Sequence, residues 1–192
     1  MSAGGLLLHV CCAPCAAYPV PALRELTPRL AGFFYNPNIA PDEERARRLD
    51  ALERYAPLLR LDLVVAAEDG APEAAPAATG SRDERCRRCY ELRLRATARE
   101  ARRLGFGCFS TTLLYSIHQR HELVRAVAEQ VARAEGVTFL YRDLRVGWQE
   151  GGRRYRESGL YRQRYCGCAE SARERDTGRR ASGTAPPAPG AP

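Results

Sequence analysis

Five short apolar runs, separated by longer stretches with helical periodicity, constrain the fold of this 192-residue chain more than any other feature. Residues 6–10, 31–35, 61–67, 108–113 and 137–141 have the length and apolar character of buried strands. Between them the period changes. Helices are expected over residues 20–30, with Pro21 tolerated in the first turn, and from Pro41-Asp42-Glu43-Glu44 onwards, with Ala46, Leu49, Leu52 and Tyr55 along one face. Two more are expected over residues 82–104, ended by Gly105, and 116–135, closed by Gly136. This alternation predicts a single α/β domain with a mostly parallel sheet and helices on both faces, because parallel neighbours need a crossover that a helix supplies. In such sheets ligands gather beyond the carboxyl ends of the strands.

The remaining stretches lack that order. Residues 68–81 are alanine, proline and glycine without periodicity and read as a mobile loop or insertion. Residues 143–157, rich in glycine and arginine, read as a loop, and residues 160–174 as a helical piece that contains or is interrupted by the last cysteines. The folded domain is expected to span residues 1–176, with a disordered tail over 177–192. No apolar run approaches the roughly 20 residues needed to cross a bilayer, and the start of the chain has neither the basic residues nor the apolar length of a signal peptide. A cytoplasmic protein with no membrane partner is the expectation. The net charge is +7, and all 30 basic residues are arginine. Codon usage in a GC-rich genome accounts for that bias, but its consequence is physical: guanidinium forks suit phosphates and stack on bases.

Eight cysteines, at 11, 12, 15, 86, 89, 108, 166 and 168, point in a cytosolic chain to metal or catalysis rather than to disulfides. Cys86 and Cys89, three apart at the start of a helix, share one face, while Cys166 and Cys168 share one side of an extended segment. Cys11 and Cys12 follow the first strand. Neighbouring side chains of an extended backbone diverge, so these two sulfurs are expected to serve two different metals. With Cys15 the candidates number seven, more than one tetrahedral zinc or one four-cysteine cluster can use. An iron–sulfur cluster beside a second, mononuclear metal accounts for the surplus. A zinc staple with spare buried cysteines stays open on spacing alone. Cys108, in an apolar run, is expected in the core.

The segments Leu7-Leu8-His9-Val10-Cys11-Cys12-Ala13-Pro14-Cys15, Phe34-Tyr35-Asn36-Pro37-Asn38-Ile39, Arg85-Cys86-Arg87-Arg88-Cys89-Tyr90-Glu91-Leu92-Arg93-Leu94, Phe109-Ser110-Thr111-Thr112-Leu113-Leu114 and Leu160-Tyr161-Arg162-Gln163-Arg164-Tyr165-Cys166-Gly167-Cys168 occur in order along the chain. Through them it resembles the cobalamin-independent, QueH-type epoxyqueuosine reductases. The resemblance implies a nucleotide-hydrolase-like (HUP-like) α/β fold. It implies removal of the epoxide oxygen of epoxyqueuosine at the wobble position of tRNA. It also implies a four-iron four-sulfur cluster with a second metal, taken as iron, and an external electron donor of unknown identity. By the same resemblance Cys11, Cys12, Cys86, Cys89, Cys166 and Cys168 are the metal-site residues, with Cys15 in the same motif.

Loss of the oxygen as water needs a proton donor, for which Asp143 and Tyr161, and also Tyr115 and His9, are candidates. Asn36, Asn38, Arg162 and Arg164 are candidates for holding the substrate at the anticodon loop, within a wider set that includes Arg142, Arg145, Arg153 and Arg154. His118 and His121 are expected at the surface or in the core. Two other readings compete. One is a cluster-dependent tRNA sulfur transferase on a similar fold, although such enzymes carry a glycine-rich pyrophosphate loop where this chain has Cys11-Cys12-Ala13-Pro14-Cys15. The other is a zinc-bound RNA-binding module.

Overall fold

The computed structural model describes residues 4–66 and 79–181. Five strands, β1 (Leu6–His9), β2 (Leu30–Phe34), β3 (Asp62–Val65), β4 (Cys108–Thr111) and β5 (Thr138–Phe139), form one parallel sheet in the order β3-β2-β1-β4-β5. Six α-helices accompany them: α1 (Pro19–Arg24), α2 (Asp42–Tyr55), α3 (Arg82–Arg103), α4 (His121–Glu135), α5 (Trp148–Arg156) and α6 (Ala169–Ala181). The central strand is buried on both sides, and the period of two divides its residues. Leu6 and Leu8 join a core containing Val20 and Leu23 of α1, Leu52 of α2 and Tyr155 of α5. Leu7 joins a second core with Leu94 and Ala98 of α3 and Val124 and Val131 of α4. Helices therefore cover both faces, in the α/β arrangement expected from the alternation and consistent with a HUP-like fold.

Four boundaries differ from the expectation, each for a local reason. Helix α1 stops at Arg24 rather than running to residue 30; Pro28 disfavours helical backbone at Thr27, and Leu30 pairs with Leu6 in the sheet. Helix α4 starts at His121, because β4 is followed by a 3-10 turn over Thr112–Leu114 and then by a turn in which the Ser116 hydroxyl accepts a hydrogen bond from the His118 amide (3.3 Å). The expected loop over 143–157 is instead a 3-10 turn (Arg145–Gly147) leading into α5. Gly147 and Gly151 serve close packing: a Cβ on Gly151 would stand 2.4 Å from the Tyr115 hydroxyl. Finally, residues 160–168 form an irregular strap, the cysteines precede α6 rather than lying within it, and α6 continues past Thr177 to Ala181. Most of the loop expected over 68–81, and the tail beyond 181, lie outside the described residues. Among the described residues no helix is long and apolar enough to cross a membrane.

Candidate metal centre

Chain connections leave β1 and β4 in opposite directions across the sheet, which opens a crevice between their carboxyl ends. Polar side chains close the strand ends there. His9 Nδ1 and Thr111 Oγ1 lie 2.9 Å apart, and the Cys11 amide donates to Thr112 Oγ1 (3.1 Å). A 3-10 turn over Ala13–Cys15 then folds Cys15 back, so that the sulfurs of Cys11, Cys12 and Cys15 lie within 4.8 Å of one another. The Cys11 and Cys12 sulfurs are 3.6 Å apart, and so converge where divergence was expected. The strand pairing ends at His9, and beyond it the pleat no longer fixes side-chain direction. Cys12 and Cys15 are buried.

The three thiols titrate as a unit. Hydrogen bonds from Cys12 and Cys15 hold the Cys11 thiol well below the usual range, while Cys12 is pushed up mainly by burial and Cys15 mainly by its hydrogen bonds to Cys11 and Cys12. Sulfurs on one tetrahedral ion with ~2.3 Å bonds stand about 3.8 Å apart, so this triad suits a single soft ion with one open position.

A second group is assembled across the chain. Ser81 caps α3 in a capping box with Glu84: the Ser81 amide donates to Glu84 Oε2 (2.7 Å) and the Glu84 amide to Ser81 Oγ (3.3 Å). One turn on, Cys86 and Cys89 line a cavity of about 300 Å3 that Cys166 and Cys168 also line. Cys168 sits at the start of α6, where the Ser171 amide donates to its sulfur (3.4 Å). A hydrogen bond from Cys166, helped by these helix-end amides, brings the Cys168 thiol down to about 5, while Cys166 is pushed well up. Gln119 Nε2 donates to the Cys166 sulfur (3.4 Å) and Arg93 Nη2 to the Cys89 sulfur (3.1 Å). Burial pushes the Cys89 thiol up, against the opposing pull of Arg93. Four thiols around one cavity match the ligand set of a four-iron four-sulfur cluster.

The strap over 160–168 ties the two groups together. Its residues alternate, with Arg162 and Arg164 exposed and Tyr161, Gln163 and Tyr165 turned inward. Gln163 Nε2 donates to the Cys12 sulfur (2.7 Å), Tyr161 to Glu44 Oε2 (2.5 Å) and Tyr165 to the Ala40 carbonyl (2.7 Å). Arg48 of α2 fastens the end of the strap. Its Nε donates to Glu44 Oε1 (2.7 Å), Nη1 to the Cys166 carbonyl (3.0 Å) and Nη2 to the Tyr165 carbonyl (3.0 Å). These bonds offset the cost of burying the Arg48–Glu44 pair. Gly167, at φ +125, takes a backbone conformation that other residues rarely adopt, and a Cβ there would meet Ile39 at 3.0 Å.

The remaining sequence candidates fall outside these contacts or at their edge. Cys108 is buried in β4, donating to the Gly5 carbonyl (3.3 Å), a core residue as expected. Asn36 braces the end of β1 through Nδ2 and the Val10 carbonyl (3.0 Å). Asn38 lines the cavity, and both its amide atoms are buried without a hydrogen-bond partner among the described residues. Asp143 is exposed and ion-paired with Arg145 (2.6 Å), which holds its carboxyl at about 2; it does not line the cavity, and a group that acidic is a poor proton donor near neutrality. Tyr161, pushed up to about 12 by burial and by Glu44, directs its proton to Glu44 and is likewise absent from the lining.

His9 is buried and held neutral, at about 4, mainly by burial and then by Arg93. Tyr115 donates to the Trp148 carbonyl (3.1 Å). His121 is buried against Tyr141, and His118 is exposed beside Trp148 at the cavity edge. Arg48, Arg93, Gln119 and Gln163 were not anticipated. Arg93 alone left a signal, standing four residues after Cys89 on the same helical face.

One protein-family model, described as epoxyqueuosine reductase QueH, matches residues 6–174. Among curated proteins, an epoxyqueuosine reductase QueH of Dehalococcoides mccartyi is 36% identical over 170 residues, covering 88% of this chain and 93% of that protein. One of Thermotoga maritima is 36% identical over 182 residues, covering 90% and 92%. One of Helicobacter pylori is 32% identical over 179 residues, covering 85% of this chain and 48% of the longer relative.

Proposed function

The chain belongs to the epoxyqueuosine reductase QueH family, and from that premise we propose that it reduces epoxyqueuosine in tRNA to queuosine. In the balanced reaction the epoxide takes up two electrons and two protons; both carbon–oxygen bonds break, a carbon–carbon double bond forms and the oxygen leaves as water. The electrons come from an external donor. The observation that carries this reading is the gathering of seven cysteines, from three distant segments, into two groups joined by one strap. Cys86, Cys89, Cys166 and Cys168 would hold the four-iron four-sulfur cluster, and Cys11, Cys12 and Cys15 a mononuclear ion, taken as iron. Bound there, the cluster would supply electrons singly and the ion a Lewis acid for the epoxide oxygen.

The protein's own groups prepare that site. Glu44 and Arg48 hold the strap whose Cys166 and Cys168 line the same cavity as Cys86 and Cys89, and Gln163 hydrogen-bonds the Cys12 sulfur. Asn38 offers an unpaired amide at the cavity wall, and the exposed Arg162 and Arg164 suit phosphates of the anticodon loop. The test is an anaerobic reaction of iron- and sulfide-loaded protein with epoxyqueuosine-containing tRNA and dithionite, read by nucleoside mass spectrometry. Queuosine is the expected product; unchanged epoxyqueuosine with a fully loaded protein contradicts the reading.

A further inference from the structure

Two buried arginines border the cysteine groups, and they differ in one respect. Arg48 has a carboxylate partner, Glu44 at 2.7 Å, so that pair is neutral overall. Arg93 is 2% exposed, and among the described residues no carboxylate lies within ion-pair distance of it. Its guanidinium is spent on Cys89 instead: Nη2 donates to the sulfur (3.1 Å) and Nε to the carbonyl (3.2 Å), with the Tyr90 ring 5.7 Å away. Its charge also acts on Cys166 in the four-cysteine group and on Cys11 in the triad. A fixed charge taken out of water without a counter-ion is costly, so a structure that keeps one there needs anions beside it. The cavity also carries the Glu170 and Glu174 carboxylates, but none lies within ion-pair distance of Arg93 among the described residues; the groups its charge acts on first are the thiols of Cys89, Cys166 and Cys11.

We propose that Arg93 is a positioning residue that acts through Cys89: its buried positive charge holds the thiolate set and raises the reduction potential of the group bound by Cys86, Cys89, Cys166 and Cys168. The inference rests on the cluster reading given above. Adding an electron to a thiolate-bound cluster increases its negative charge, and a cation at hydrogen-bond distance from a ligand sulfur stabilises that reduced state more than the oxidised one. Because Arg93 is buried, water and salt screen the effect little.

The test is an EPR-monitored redox titration of anaerobically loaded full-length protein, with iron and acid-labile sulfide measured on the same samples. Arg93→Met keeps most of the side-chain volume and removes the charge. It is expected to titrate at a clearly more negative potential than the wild type at equal iron and sulfide content, while Arg93→Lys stays close to the wild type. A Met variant that loads fully at an unchanged potential overturns the proposal. Should the Met variant fail to load, the Lys variant decides: normal loading and potential sustain the charge role, and loss of iron there too assigns Arg93 to shape and overturns it. Wild-type protein without iron and sulfide defeats the cluster reading itself, and the inference falls with it; an unchanged Met potential on a loaded cluster defeats the inference alone.

Discussion

The two cysteine groups meet the same chemical need in opposite ways. The triad is local: Cys11, Cys12 and Cys15 lie in one turn fixed to the ends of β1 and β4. The four-cysteine group depends on tertiary structure, because Cys86 and Cys89 belong to α3 while Cys166 and Cys168 arrive on a strap held by Glu44, Arg48, Tyr161 and Tyr165. A local site tolerates damage elsewhere. An assembled site fails when its fastening fails.

The sharpest way to break this comparison is to remove ligands from one group only. Cys86→Ala or Cys89→Ala should abolish the visible absorbance of the cluster and the activity with it, leaving the triad able to bind one divalent ion. An unchanged visible spectrum would remove both residues from the ligand set. Next in size is the fastening. Arg48→Met strands the buried Glu44 carboxylate and should cost about 3–5 kcal/mol in denaturant unfolding. At partial denaturation, iron should leave the four-cysteine group before the triad ion; simultaneous loss would make the two groups one cooperative unit.

The triad side has a pH signature in the metal-free protein. His9 is held at about 4 in the folded state against 6.5 unfolded, so the unfolded chain takes up the proton first as pH falls. This contribution is complete above pH 6.5 and is lost on the way down to pH 4, by about 3 kcal/mol. His9→Gln should flatten that part of the stability–pH curve, and a curve parallel to the wild type would contradict the assignment. The smallest effect is expected at Cys108, which belongs to neither group. Cys108→Ser should leave iron content unchanged and cost about 1 kcal/mol, and a large loss of iron would make it a ligand.

What could be read from the sequence follows the same division between local and assembled. The strands, the stop at Gly136 and the position of Cys11, Cys12 and Cys15 at a strand end all follow from short-range pattern, and all are found. The convergence of Cys11 and Cys12 leaves no local pattern, because side-chain alternation holds only as far as His9, where the pairing stops. Helix α5 looks like a loop in sequence because glycine weakens a helix in isolation, whereas Gly151 is there for contact with Tyr115. Arg48, Gln119 and Gln163 act across long sequence separations and leave no local pattern. Asp143 and Tyr161 are proton donors by chemical type, but the structure pairs the Asp143 carboxylate with Arg145 and directs the Tyr161 hydroxyl to Glu44.

The proposed function requires one protein to hold a four-thiolate cluster beside a separate three-thiolate ion. Iron, zinc and acid-labile sulfide determined on anaerobically purified wild-type protein and on Cys11→Ala test it most directly. Sulfide with iron in excess over it is expected in the wild type, and loss of only that excess in Cys11→Ala. Zinc alone, with neither iron nor sulfide, would contradict it.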